Sequence, residues 1–447
     1  MQTIETGFAR SNINPPMGIP VYGYYKVRLA EGILDDLEVA VLALKQGDIS
    51  SLLISLDHCG VEQKLCLDFR KAASDATGVP VENIMIACTH THTAPTLEKD
   101  SANALVRAYT EFVTHRICDT ATFAIADLKE AKMGYGQGVA PNVAFVRRYV
   151  MRDGSVKTNP GVNNPDIVRP IGDTDESVNV VRFDRDGGET LVLVNFANHP
   201  DVVGGNLISA VWPGLLRRDV ETILPNTKCI FFNGAQGDVN HVNVHPTGGY
   251  LNDMFMDFDD VARGYSHAKY IARVVTGGVL QAYDKVSYVD EALLVPGQIT
   301  INVPANLPRP EDMSEAHRIH ALHEAGRDSE LPYEGMMLTT IVAEAARMVL
   351  LENGPDTFDM YLSALRIGPV VLIGIPGEPF TGIGLALKAT EGYAMVLPCC
   401  LTNGCEGYFP MQDSYDEGGY EARSSRFKAG VAEYIAQEGK KLLESMR

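Results

Sequence analysis

Long apolar runs are missing from this chain. No uninterrupted stretch approaches the roughly 20 residues that a bilayer crossing needs, so no membrane span is expected. The opening segment, MQTIETGFARSNINPPMG, lacks the apolar centre of a secretory signal, which makes a cytoplasmic location the expectation. Positive charge is also scarce: 38 Lys and Arg stand against 57 Asp and Glu, for a net charge of −19. Such a surface repels phosphates and anionic headgroups, so nucleic acid and membranes are not expected partners. A small-molecule substrate fits better, and a homo-oligomer is left open. Cysteine is too sparse for a disulfide framework, at 8 in 447 residues. Most of the cysteines sit in apolar runs, such as Cys88 in IMIACT and Cys229 in TKCIFFN, where reduced buried thiols are expected.

The chain also has no internal repeat and no clear Ser/Gly/Pro linker. The expectation is one domain over residues 1–447, whose weakest candidate boundary is the polar, Pro-rich stretch near 305–335. Short apolar runs alternate with longer helical patterns, which is the signature of an α/β chain. LEVAVLALKQGD and SSLLISLD predict two strands joined by a Gly-Asp turn. VEQKLCLDFRKAASDATG predicts a helix closed by a C-capping glycine. NIMIACTHTH predicts a buried strand, and helices are expected over 101–128, 212–223 and 259–283. The fold class is therefore α/β, with mixed β-sheets flanked by helices in a single large catalytic domain.

Four strand-to-loop junctions carry the unusual residues: CTHTHTAP, NFANHPDVVGG, NGAQGDVNH and GIPGEPFTG. In α/β architectures, sites gather where loops leave the strand ends. His90 and His92 are two apart, so in an extended segment both imidazoles face the same side. Together with His199 and Glu378 they supply the histidines and carboxylate of a hydrolytic zinc site. The bland alternatives stay open: His199 before Pro200 as a satisfied core histidine, Glu378 as a helix cap. The stretch LTNGCEGYFPMQDSYDEGGYEARSSRF reads as a long, tyrosine-bearing loop with Tyr408, Tyr415 and Tyr420. A tyrosine near a metal can ligate it or donate to an oxyanion. Asp57 and Asp238, at strand ends, are candidates to orient the ligand histidines. His317, His320 and His323 on one helical pattern read as a solvated face, because the third swings off the face of the first two.

THTHTAP, NHP, NG..GDV, PGEPFT and NG..GY......YDEGGYE occur in the order found in the neutral/alkaline non-lysosomal ceramidases, and the chain resembles that family over about residues 5–430. The resemblance implies a zinc-dependent amidase on a mixed α/β domain. It implies His90, His199, Glu378 and Tyr408 as metal ligands, with Zn2+ as the cofactor. It also implies His92 facing the substrate carbonyl beside Tyr420, and Arg147 as an active-site arginine, with Arg148 the alternative. Two departures limit it. Asn240 stands where those enzymes carry a serine thought essential, and no room is expected for their additional immunoglobulin-like domain. An amide can donate to an oxyanion but cannot act as nucleophile or base. Ceramide itself is thus not expected as the substrate. The expected activity is metal-assisted hydrolysis of a small soluble amide or lactam, with His92, Asn240 and Tyr420 stabilising the oxyanion and Arg147 receiving a substrate carboxylate. The same machinery opens esters and lactones, and a zinc-holding binding protein without catalysis is the rival from another class.

Overall fold

The structure, a computed structural model, describes residues 3–247 and 254–447. Its largest element is a nine-stranded sheet. The strands run in the order Thr227–Asn233, Thr190–Phe196, Ser177–Arg185, Lys129–Val139, Ile4–Asn12, Glu38–Gln46, Ile49–Leu56, Ile84–Cys88, with Ser287–Tyr288 pairing off this path. The inner pairs are antiparallel and both outer pairs are parallel.

Period-two patterning explains how this sheet is covered on both faces. In Glu38–Gln46, Val39, Val41 and Ala43 pack toward the helices Gln63–Thr77 and Ala104–Ala126. Ala40, Leu42 and Leu44 point the other way, onto a second sheet. That sheet has four strands, Leu294–Pro304, Thr357–Ile367, Val370–Gly374 and Met395–Cys399. Helices Thr381–Lys388 and Val431–Ser445 cover its outer face. Helices Val211–Ile223 and Tyr265–Tyr283 complete the cover of the large sheet. The result is a helix–sheet–sheet–helix stack of mixed sheets, the α/β class expected. Gly47, at φ +59°, makes the turn between Glu38–Gln46 and Ile49–Leu56, and Gly78 at φ +75° closes its helix. No helix among the described residues is long and apolar enough to cross a membrane.

The stretch near 305–335 is no linker. It begins a helical hairpin, Met313–Glu324 against Gly335–Leu351, with a small core of its own around Ile319 and Ile341. The hairpin leaves from and returns to two strands that pair directly, Leu294–Pro304 and Thr357–Ile367. His317 is tied to Glu352 on its outside, whereas His323 pairs with Asp328 and packs edge-on to the Tyr25 ring, so only part of the expected solvated face is solvated.

What positions the site is the parallel pairing. A parallel pair requires a crossover, usually a helix. Gln63–Thr77, Val211–Ile223 and Thr381–Lys388 each serve one such pair, so three strand ends release their loops in one direction. Backbone hydrogen bonds lock those ends together: Cys88 N–H to the Leu401 carbonyl at 3.2 Å and Cys400 N–H to the Asn233 carbonyl at 3.0 Å.

Candidate metal centre and active site

The loops after Cys88, Phe196 and Gly374 deliver His90, His199 and Glu378 to one point. The Nε2 atoms of His90, His92 and His199 lie 3.0–3.2 Å from one another, and Glu378 Oε2 is 3.2 Å from His90 Nε2. All four side chains are buried. His90 and His92 share this point for a reason other than strand alternation. The strand stops at Cys88, and His90 adopts φ +74°, a conformation that disfavours a side chain. Its N–H donates to the His58 carbonyl at 2.9 Å, and its Nδ1 lies 2.5 Å from the Cys59 carbonyl. The second contact makes Nδ1 the protonated nitrogen and turns the Nε2 lone pair inward.

Three Nε2 atoms at this separation cannot satisfy one another, since a proton on one serves a single neighbour at a time. A cation satisfies all three together. The electrostatics agree. Burial alone would lower the His90 pKa, but Cys59 and the Glu378 carboxylate outweigh it and hold His90 well above its ordinary value. Burial, then the His90 charge, pushes His92 and His199 well below theirs. A positive charge is thus favoured beside the Glu378 carboxylate. His90, His199 and Glu378 form a group able to hold a metal ion, and Cys59, His90 and His92 form a second that overlaps it.

Tyr408 reaches Glu378 through strand register. The two residues face each other in the short parallel ladder Glu378–Pro379 with Tyr408–Phe409; against burial, His90, Arg147 and Tyr408 hold the Glu378 carboxyl below its ordinary pKa. Close approach of the loop after Asn233 is needed here: a Cβ on Gly237 would meet the Glu378 carbonyl oxygen at 2.4 Å. Burial first, then the Glu378 charge, holds the Tyr408 phenol well above its ordinary pKa. Tyr420 lies beside it, ring centroids 5.5 Å apart, and is raised in the same sense by burial and by Tyr25 and Tyr408. Both phenols are therefore proton donors. The segment that carries them is less loop-like than expected, with short helices at Gln412–Glu417 and Tyr420–Ser424. Tyr415 lies apart, donating to the Phe427 carbonyl as a local staple.

A cavity of about 360 Å³ opens onto this point, and His90, His92, Glu378, Tyr408 and Tyr420 line it. Three expected residues do not: His199, whose Nε2 meets the cluster without lining the cavity, Asn240 and Arg147. Asn240 is fully buried with its amide engaged, Nδ2 donating to Asn159 Oδ1 and Oδ1 accepting from the Val242 N–H, each at 3.0 Å. Arg147 stands behind the site rather than in it. It pairs with the buried Glu421 at 2.7 Å, donates to the Gly237 carbonyl and lies over the Tyr408 ring. Arg148 turns away to Ser414, Glu417 and the Gly418 carbonyl. Asp57 and Asp238 do not touch the histidines either. Asp57 pairs with Arg217 and accepts from Thr89, and Asp238 accepts both the N–H and the hydroxyl of Thr381.

The structure adds residues that the sequence reading passed over. Tyr22, Tyr24 and Tyr25 line the cavity, and Arg28 pins their loop through the Tyr22 and His92 carbonyls. Cys59 and Arg426 also line it. The aromatic run YGYY and the polar DHCG after an apolar strand were the available signals; nothing local marks Arg426.

No protein-family model and no curated protein matches this chain. Solved structures do match in fold. The stack of two mixed sheets between helices is shared with bacterial ceramidases of known structure. Neutral ceramidase from Pseudomonas aeruginosa superposes with a TM-score of 0.74 at 16% identity, covering 99% of this chain and 74% of that one. A ceramidase complexed with C2 gives 0.73 at 16% identity, covering 99% and 75%.

Proposed function

We propose that this protein is a zinc-dependent amidohydrolase that cleaves the C–N bond of a small soluble amide or lactam. The observation that carries the proposal is the convergence of three imidazole Nε2 atoms and the Glu378 carboxylate at the end of an open cavity. The shared fold with ceramidases and the ordered motifs support the same reading. His90, His199 and Glu378 would hold the ion, with Tyr408 at its edge and His92 Nε2 within reach of the same position. Nitrogen and oxygen donors of this kind suit zinc. When bound, the ion supplies Lewis acidity and a water whose pKa is lowered to roughly 7.

The chain's own groups do the rest. Tyr420 keeps its proton and lines the cavity beside the cluster, where it can donate to a carbonyl oxygen as negative charge develops. Tyr408 keeps its proton beside Glu378 and helps keep that carboxyl ionised. Arg147, neutralised by Glu421, braces Tyr408 from behind. The Tyr22–Tyr25 loop supplies aromatic walls to the cavity. A cavity of about 360 Å³ is at the small end for ligand sites, which suits a small substrate better than a long lipid.

The test is elemental analysis of the purified protein, joined to hydrolysis assays on small amides, lactams, esters and lactones. About one zinc per chain, lost with activity on chelation and restored with it, supports the proposal. Absence of metal from both the parent and a zinc-supplemented sample overturns it and leaves a binding role. Turnover of esters alone would move the assignment to an esterase.

A further inference from the structure

One guanidinium lines the cavity. Among the described residues lining it, Arg426 alone is a lysine or arginine. It follows the short helix Tyr420–Ser424, and its carbonyl accepts the Asn306 N–H at 2.8 Å, which fixes its backbone. Its side chain is 31% exposed and meets one acid, Glu406, through a single long contact of 3.5 Å from Nη1. Among the described residues it makes no other side-chain hydrogen bond, so most of a five-donor fork is free. Burial pushes the Glu406 carboxyl above its ordinary pKa, which weakens it as a counter-ion.

The other arginines near the site are spent. Arg147 is paired with Glu421 and bonded to Gly237. Arg28 is committed to the Gly205, Tyr22 and His92 carbonyls. On a chain of net charge −19, an uncommitted guanidinium in a concave site with low-dielectric walls focuses anions there. A guanidinium fork matches a carboxylate in both geometry and charge.

We propose that Arg426 is the carboxylate-binding residue of this cavity, and that the substrate is an N-acyl amino acid or a lactam bearing a carboxylate. Its anion pairs with Arg426 while its amide lies at the His90–His199–Glu378 end. The substrate class rests on the amidohydrolase reading; the anion subsite does not.

The experiment is calorimetric binding of N-acetylglycine and its neutral analogue N-acetylglycinamide to the zinc-loaded full chain, with turnover of both measured in parallel. Parent, Arg426→Gln and Arg426→Lys proteins are compared, and thermal denaturation confirms that the variants fold. The parent is expected to bind the anion about 10- to 100-fold more tightly than the amide. The preference should vanish in Arg426→Gln and survive in part in Arg426→Lys. Equal binding of the two compounds in the parent, or no binding of either, overturns the subsite. So does a preference undiminished in Arg426→Gln, because the anion then sits on the metal. A preference lost in Arg426→Gln without turnover of either compound keeps the subsite and counts against the hydrolase. Turnover without charge preference does the reverse.

Discussion

Glu378 and Tyr408 are direct partners in a two-residue parallel ladder, and against burial His90, Arg147 and the Tyr408 phenol hold the Glu378 carboxyl below its ordinary pKa. Backbone register thus places a buried phenol beside the carboxylate. Replacing Tyr408 with Phe removes the hydroxyl while leaving the ring. Loss of such a supporting group typically costs 10- to 100-fold in metal affinity or activity. Zinc titration against a competing chelator reads the effect, and unchanged affinity and activity would remove Tyr408 from the site.

His90 Nε2 and His199 Nε2 stand 3.0 Å apart, with His92 Nε2 within 3.2 Å of both. Alanine at His90 or at Glu378 should lower zinc content together with activity. His92→Ala should lower zinc affinity as well, because its nitrogen occupies the same point. Full metal retention in both His90→Ala and Glu378→Ala would sink the ligand set. Retention in His92→Ala with lost activity would instead return His92 to the substrate carbonyl.

Asn240 is expected to matter for stability more than for chemistry. Its amide holds Asn159 and the Val242 N–H together in a fully buried position. Asn240→Ala should cost about 1–3 kcal/mol in denaturant unfolding, the usual penalty for stranded buried partners, with kcat changed no more than a few-fold. A kcat loss on the order of 100-fold at unchanged stability would restore an oxyanion role to this residue.

Gly23 sits at φ +110° against His92, and a Cβ there would lie 3.0 Å from both the Cα and Nδ1 of that histidine. Gly23→Ala should cost about 1–3 kcal/mol through strain. It should also weaken zinc binding by displacing His92. An unchanged melting temperature and unchanged zinc affinity would show that the Tyr22–Tyr25 loop shifts freely.

Asp238 gives a pH signature. Burial pushes its carboxyl up to about 6, against the pull of Thr381 and Arg147. The folded protein then holds this proton more tightly than the unfolded chain, so the group's contribution falls as pH rises from about 4 to about 6 and is level above that. Asp238→Asn keeps an acceptor for Thr381 but cannot ionise. Between about pH 4.5 and about pH 7.5 the stability difference should move toward the variant, by up to about 2 kcal/mol. The metal-linked pH dependence is common to both proteins and cancels. A pH-independent difference would refute the raised pKa.

Much of the layer structure was legible because it follows from local periodicity. The strands Glu38–Gln46 and Ile84–Cys88 and the helices Gln63–Thr77 and Val211–Ile223 fall where apolar spacing and turn glycines put them. The convergence of His90 and His92 was also anticipated, but through the wrong geometry, since a strand-end turn and a positive φ bring it about. Arg147 and Asn240 were read as site residues because motif order carries no information on which way a side chain turns.

By itself, then, the sequence determined the elements, their α/β alternation and the set of polar residues at strand ends, since periodicity and turn chemistry act over a few neighbouring residues. Only the tertiary structure decided which of those residues meet. Parallel pairing closes long crossovers and brings His199 to His90 and Glu378 to Tyr408, while the antiparallel contact of Ala305 with Phe427 and the Asn306 N–H bond to the Arg426 carbonyl set Arg426 at the cavity. Those contacts join segments far apart in the chain, where no local pattern records them.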